Sequence, residues 1–411
     1  MDFFRVKSTE EMSEIIDAHV QRLTYAESVS PDHAAGRVLY EDVHATEDVP
    51  GFSRSTVDGY AVKAMDTHGA TEAMPAFLSL AGSIEMGQEA AMVLDMDQAV
   101  YVPTGAMIPE GADAVVMIED ADLSGDLVQV FKPVRHQENV ILKGEDTQAG
   151  SAVLTAGTEI RPQEAGALAA LGLSSITVCK KPVVGYLSSG DEIVPYAKQE
   201  LKMGEIRDVN GVTIPSLIRS WGCDVVVSPI AADDRQDFQE KANRLFEQCD
   251  MIIMSGGSSV GEKDYTTEVI ESLGNGTPGL LVHGVSVKPG KPTILSVTSA
   301  KPVLGLPGHP ASAMVIFHMF GKQIIHRLLG MNRGNRHTTV ARVSQNIPSS
   351  PGRTDYIRVT LKSGTPYSEA EPVLGKSGLI STLIKSDGLM EIPSRKEGVQ
   401  KGDLVKVHYF I

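Results

Sequence analysis

The stretch MIIMSGGSSVGEKDY, Met251 to Tyr265, decides how the chain is read. A short apolar run after Asp250 has the length and flanks of a buried strand. The glycines and serines that follow, Ser255-Gly256-Gly257-Ser258 first among them, form a loop able to approach a ligand closely. Asp264 closes the loop just before Thr266 to Leu273, which reads as a helix. Backbone N–H groups and a helix N-terminus suit an anion, and a carboxylate beside them suits a metal. One such loop alone is more often a plain strand-to-helix turn, so the weight falls on whether its neighbours repeat the arrangement.

They do. From Lys181 the chain alternates strand and helix: strands at Pro182–Leu187, Asp224–Ile230, Met251–Met254 and Val303–Leu306, and helices at Val212–Ser220, Arg235–Gln248, Thr266–Leu273 and Ala311–Leu329. This is the pattern of a mostly parallel sheet with helices on both faces, whose ligands bind beyond the carboxyl ends of the strands. The loops at those ends carry Ser188-Ser189-Gly190-Asp191-Glu192, then Asp233-Asp234, then Ser255 to Asp264, then Pro307-Gly308-His309-Pro310. Any single acid there is readily a helix cap or first-turn residue. Four loops of small or acidic residues meeting on one edge argue for a site, and oxygen ligands from several loops suit magnesium. Val287-Lys288-Pro289-Gly290-Lys291-Pro292 adds two lysines on a rigid turn, where lysine acts as a point charge for oxyanions.

Working outward, Ser8-Thr9-Glu10-Glu11 is a capping-box pattern opening a helix to about Arg22, with Met12, Ile15, Ile16 and Val20 at helical spacing. A second short helix is expected from Ser30-Pro31-Asp32 to near Val38. Short Val, Leu and Ile runs between Gly and Asp turns make Pro75 to Lys132 a small β-rich unit, and Pro162 to Leu171 reads as a helix. Beyond Gly330, strands are expected at Val340–Val343, Tyr356–Leu361, Leu389–Ile392 and Leu404–Tyr409. The fold class is therefore α/β multidomain. We expect an N-terminal linker domain (1–45 and 145–178), to which the family resemblance given below adds a dimerisation role, an inserted β-rich domain (46–144), an α/β domain (179–330) and a C-terminal β-barrel-like domain (331–411).

At 411 residues the chain has room for these units. A net charge of −15 argues against nucleic acid or an anionic membrane as partner, and it requires any anion site to concentrate cations locally. Cys179, Cys223 and Cys249 form neither a disulfide framework nor a zinc site, as expected in a reducing cytoplasm. Glu10, Glu11 and Glu14 interrupt the N-terminus, so no signal peptide is expected, and no apolar run reaches membrane-spanning length. The phosphate-binding pattern of P-loop ATPases is absent, and no histidine pair has zincin spacing.

Together the motifs resemble the molybdopterin molybdenumtransferase family, bacterial MoeA and the E domain of gephyrin. They are Val49-Pro50-Gly51-Phe52, Asp58-Gly59-Tyr60-Ala61-Val62, Thr104-Gly105-Ala106, Pro109 to Val116, Gly144-Glu145-Asp146, Ser189 to Glu192, Ile206 to Asn210, Ser255-Gly256-Gly257, Val260 to Tyr265, Lys288 to Pro292 and Gly305 to Pro310. The chain departs from the family pattern at Ser189, His309, Gly284 and Ile141.

The resemblance implies an elongated homodimer that inserts molybdate into adenylylated molybdopterin and releases AMP with Mg2+. It also implies transient contact with the molybdopterin adenylyltransferase and with molybdoenzyme apoproteins. Carried over by motif, Glu192, Asp233 and Asp264 are the expected metal and catalytic acids. Lys288, Lys291, Ser312, Arg353, Arg358 and Ser377 are the expected molybdate or phosphate contacts, and Asp58 and Thr104 the residues lent by a partner subunit. Two alternatives stay open: a molybdopterin adenylyltransferase, which needs only the α/β domain, and a noncatalytic pterin-binding scaffold.

Overall fold

The computed structural model describes residues 6–256, 266–332 and 337–410. The expected capping box is present: the Glu11 N–H donates to Ser8 Oγ (3.1 Å) and the Ser8 N–H to Glu11 Oε2 (2.8 Å). The helix it opens, Thr9–His19, buries Met12 and Ile16 against the α/β core. It stops short of Arg22 because Val20 is already extended. The helix expected after Ser30 is a single tight turn, Pro31–His33, since Gly36 takes φ +78° and Val38 and Leu39 enter bridges with Glu159 and Val178. Strand Ala26–Val29 pairs with Ile176–Cys179, and Val43–His44 with Ala152–Leu154. The Pro162–Ala170 helix packs Leu168 onto Leu39, Ile160 and Val178.

Between those two returns lies a six-stranded sheet in the order Ala114–Met117, Gly59–Val62, Gln98–Val102, Ala76–Ser83, Leu127–Val130, Ala121–Ser124. The Asp58-Gly59 pair is more than a turn. A Cβ on Gly59 would stand 1.9 Å from the Val116 carbonyl, so only glycine lets this buried strand meet its neighbour.

The α/β sheet has the order Asp224–Val227, Val183–Ser188, Met251–Ser255, Lys301–Leu306, Ile294–Thr298, Pro278–His283. The first four strands are parallel and the last two antiparallel. The antiparallel pair is an addition to the sequence reading, which assigned nothing between Leu273 and Val287 or before Val303. The strand expected to reach Ile230 ends at Val227, just before Pro229. The expected long helix is continuous but not uniform: α-helical Pro310–Ile316 and Lys322–Leu328 flank a π-helical turn, Phe317–Gly321. There the Phe317 ring fills the space a Gly321 side chain would need.

In the C-terminal part, strands Thr354–Lys362, Ser368–Pro372, Thr338–Val343, Leu404–Tyr409 and Gly388–Ile392 pair in sequence, and the last pairs back to the first. The ring is closed, a barrel around Ala341, Val359, Ala370, Met390 and Val407. Ser368–Pro372 was not expected. The barrel is tied to the α/β domain, because Val287–Lys288 runs parallel to Thr354–Asp355 and the Thr354 N–H donates to Ser286 O (2.9 Å). Among the described residues no helix is long and apolar enough to cross a membrane.

Candidate active site at the carboxyl edge of the parallel sheet

Three strand ends are knitted together before any side chain contributes. The Ser189 N–H donates to Ser255 O (3.0 Å) and the Gly190 N–H to Ala231 O (3.1 Å). Gly256 takes φ +108°, and a Cβ there would stand 2.4 Å from the Ser189 carbonyl. The first glycine of the organising loop is therefore required by close packing. Asn210, buried at the start of helix Asn210–Ser220, adds a side-chain link. Its Nδ2 donates to Ser255 Oγ (2.8 Å) and to Gly308 O (2.8 Å), joining two loops. Beneath them, the Tyr186 hydroxyl and Ser188 Oγ lie 2.9 Å apart, and burial pushes the Tyr186 phenol well above its ordinary pKa.

The acids differ in role. Asp234 is a helix cap, accepting from the Asp237 N–H (2.9 Å). Asp191 and Asp233 hold each other's loops: the Asp233 N–H donates to Asp191 Oδ1 (3.0 Å), and the Asp191 N–H lies 3.4 Å from Asp233 Oδ2. The Glu192 carboxylate folds over Gly190, where a Cβ would stand 2.8 Å from its Oε2. Glu192 and Asp233 are thus exposed oxygen donors on adjacent loops. Gly257, Ser258 and Asp264 lie outside the described residues. Among the described residues no three acidic, histidine or cysteine side chains converge as a metal site.

The cationic residues come from both sides of the barrel junction. Lys288 Nζ lies 4.0 Å from Asp355 Oδ2, and Arg353 Nε lies 3.3 Å from Asp355 Oδ1. Arg358 is buried, its NH2 donates to Gly375 O (2.9 Å), and desolvation lowers its pKa. Ser312 is buried in the helix that Pro310 opens. The Ala311 N–H donates to Ser377 O (3.1 Å), so a barrel loop lies over that helix start. Lys291 is exposed, while its carbonyl accepts the Val285 and Thr293 N–H groups (2.9 Å each). Gly284 takes φ +93°, a conformation that disfavours a side chain.

Asp58 and Thr104 form a unit of their own on the inserted sheet. Asp58 Oδ1 accepts from the Thr104 N–H (2.7 Å) and hydroxyl (3.0 Å). Both are exposed, and among the described residues no hydrogen bond or ion pair joins them to the α/β edge. Sequence reasoning assigned no task to Asn210 or Asp355. Asn210 lies within a quoted motif, so a signal was there. Asp355, between two arginines on a strand, gave none.

A mostly parallel α/β sheet with a small-residue and acidic carboxyl edge, set between an inserted β-sheet unit and a closed barrel, belongs to the class of multidomain proteins with a probable molybdopterin binding domain, as the family matches show. Family models match along the chain in that order: the MoeA N-terminal region (domain I and II) over residues 7–172, a probable molybdopterin binding domain over 185–327, and the MoeA C-terminal region (domain IV) over 340–410. The molybdopterin molybdenumtransferase of Haemophilus influenzae is 31% identical over 94% of this chain and 94% of its own. That of Staphylococcus epidermidis is 29% identical over 92% and 90%. The molybdopterin biosynthesis MoeA protein of Pyrococcus horikoshii OT3 superposes with a TM-score of 0.86 at 29% identity, over 98% of this chain and all of that one. The chain belongs to the MoeA family.

Proposed function

We infer that the protein is a molybdopterin molybdenumtransferase, which inserts molybdate into adenylylated molybdopterin and releases AMP during molybdenum cofactor biosynthesis. The observation that carries this reading is the strand pairing that sets Lys288 of the α/β domain directly opposite Asp355, beside Arg353 of the barrel, at the edge where the ligand loops end. In this reading the Ser255–Ser258 loop holds phosphate through its backbone. Lys288, Lys291, Ser312, Arg353, Arg358 and Ser377 hold the oxyanion and phosphate charges.

The exposed carboxylates of Glu192 and Asp233 fit a magnesium site, which prefers oxygen donors and substrate phosphates. They would hold the ion together with Asp264. A bound magnesium ion supplies charge neutralisation at the departing phosphate. The chain's own residues fix the adenylyl group on the loop and keep the oxyanion beside the barrel junction. The protein acts in this reading as a cytoplasmic homodimer, with Asp58 and Thr104 facing the partner's cleft. It receives its substrate from the adenylyltransferase and passes its product to molybdoenzyme apoproteins.

Purified protein given adenylylated molybdopterin, magnesium and molybdate should release AMP and form molybdenum cofactor, with no ATP consumed. A protein that instead requires ATP and bare molybdopterin overturns this function in favour of adenylyl transfer.

A further inference from the structure

Asp355 is a buried carboxylate facing two cations of the site, and nothing in the function above uses it. It is the register partner of Lys288 in the parallel pairing that joins barrel and α/β domain. Its Oδ2 accepts from the Ser349 hydroxyl at 2.9 Å and lies 4.0 Å from Lys288 Nζ. Its Oδ1 lies 3.3 Å from Arg353 Nε, yet both atoms are buried and neither makes an aligned hydrogen bond. A buried carboxylate is costly unless cations and donors surround it. Here the cations are only half committed: the Lys288 side chain is 55% exposed and the Arg353 side chain 39% exposed. Among the described residues Arg353 NH2 reaches only Ser350 Oγ, at 3.5 Å.

We propose that Asp355 is a positioning residue that fixes the spacing of Lys288 and Arg353, and thereby sets selection among tetrahedral oxyanions. This rests on the reading of that pair as oxyanion contacts. Three unit charges, two positive and one negative, leave a net +1 at the junction, enough to attract any small dianion. Attraction does not distinguish molybdate from sulfate, which carry the same charge and differ in the reach of their oxygens. Spacing does, and spacing is what a buried anchor held by Ser349, Lys288 and Arg353 supplies. Removing the negative charge raises the net to +2. General anion attraction then grows while the anchor is lost.

The test is isothermal titration of the full-length protein with sodium molybdate and with sodium sulfate at equal ionic strength. The readout is the ratio of the two affinities, which a misfolded fraction does not move. In Asp355→Asn the molybdate-over-sulfate ratio should fall by about tenfold or more, with sulfate binding retained or strengthened, the scale expected for losing a buried charged partner. Ser349→Ala keeps the charge and removes one anchor; it should move the ratio the same way by roughly threefold, one ordinary hydrogen bond's worth. If the wild type discriminates and folded Ser349→Ala and Asp355→Asn keep its ratio, the positioning role is wrong while the proposed function stands. If the wild type binds neither oxyanion, or Lys288→Ala binds both as the wild type does, the oxyanion site itself is wrong and the positioning role falls with it.

Discussion

Asn210→Ala tests whether the two loops at the sheet edge are held by side chain or by backbone alone. The mutation removes two hydrogen bonds of 2.8 Å, to Ser255 Oγ and to Gly308 O. They are not equivalent. Ser255 is buried, and its hydroxyl loses a partner where water does not reach, at a cost of about 1–2 kcal/mol. Gly308 is exposed, so its carbonyl finds water and the loss is about 0.5 kcal/mol. Alanine also leaves a small void, and the total should be about 2 kcal/mol. Asn210→Asp should be worse at neutral pH, because a carboxylate replaces the donor facing the Gly308 carbonyl. The helix N-terminus returns only about 0.5 kcal/mol to the new charge. The assay is urea unfolding followed by the single tryptophan, Trp221, which ends the same helix and stacks on Phe317. Retention of substrate should be measured alongside, since the Ser255–Gly256 loop is set by this link. An alanine variant within about 0.5 kcal/mol of wild type, the range of an ordinary surface change, would mean that the Ser189, Ser255, Gly190 and Ala231 backbone bonds alone set the edge.

Mixing Asp58→Ala and Asp264→Ala subunits should restore AMP release in mixed dimers; inactive mixtures of folded, paired subunits would remove the shared cleft. Lys291→Ala should weaken molybdate dependence and leave stability within about 0.5 kcal/mol, because the side chain is exposed and its structural bonds are made by its carbonyl; unchanged molybdate dependence excludes it from the site. Asp264→Asn should abolish AMP release while adenylylated molybdopterin still accumulates on the protein, and turnover at the wild-type rate would contradict the metal assignment. His318 is buried among Trp221, Phe410, Lys322 and His408, and desolvation pushes its pKa down to about 4. The unfolded chain therefore takes up this proton first as pH falls: stability is full above about pH 6.5 and lost toward pH 4, by roughly 3 kcal/mol in total. His318→Gln should flatten that part of the urea-midpoint profile, and a parallel profile would exclude His318 as its source.

What the sequence made legible was local. The Ser8–Glu11 capping box, the alternating strands and helices after Lys181, and the four loops at the strand ends are all written in neighbouring residues. The structure builds the capping box and the strands and helices with small shifts, as where a strand ends at Val227 before Pro229, and of the glycine loop only Ser255 and Gly256 lie within the described residues. What it hid was long-range or three-dimensional. The antiparallel strands Pro278–His283 and Ile294–Thr298 receive no assignment from the sequence: Gly274, Gly276, Gly279 and Gly284 punctuate the first, and a proline-rich turn precedes the second. A barrel-like domain is expected over 331–411, but no local pattern announces the pair that closes it, Gly388–Ile392 with Thr354–Lys362. Asp233 and Asp234 stand side by side in sequence, and only geometry separates the loop clasp from the helix cap. No sequence pattern sets Asp355 apart; it is buried where the strand Val287–Lys288 pairs with Thr354–Asp355.

The placement of charge follows from that geometry. A chain of net charge −15 that is to hold an oxyanion works against its own field, but that field is spread over a large surface. At physiological salt, charges beyond about 8 Å are largely screened. An oxyanion at the barrel junction therefore feels mainly what lies within a few ångströms: Lys288, Arg353 and the carboxylate between them. The acids Glu192 and Asp233 sit on separate loops of the parallel edge, grouped with the glycine loop and away from that pair in sequence and in hydrogen bonding. The exposed acids Glu192 and Asp233 thus lie on the strand-end loops, while Lys288 and Arg353 flank the buried Asp355 where two domains meet. The consequence is that the barrel's arginines are placed relative to the acids by the junction between the domains: the pairing of Val287–Lys288 with Thr354–Asp355, the Ala311 N–H donated to Ser377 O, and the packing of Tyr356 and Leu389 into the α/β core. A perturbation that opens that junction moves Arg353 and Arg358 away from the α/β loops, and it also breaks the packing of Tyr356 and Leu389 into the α/β core.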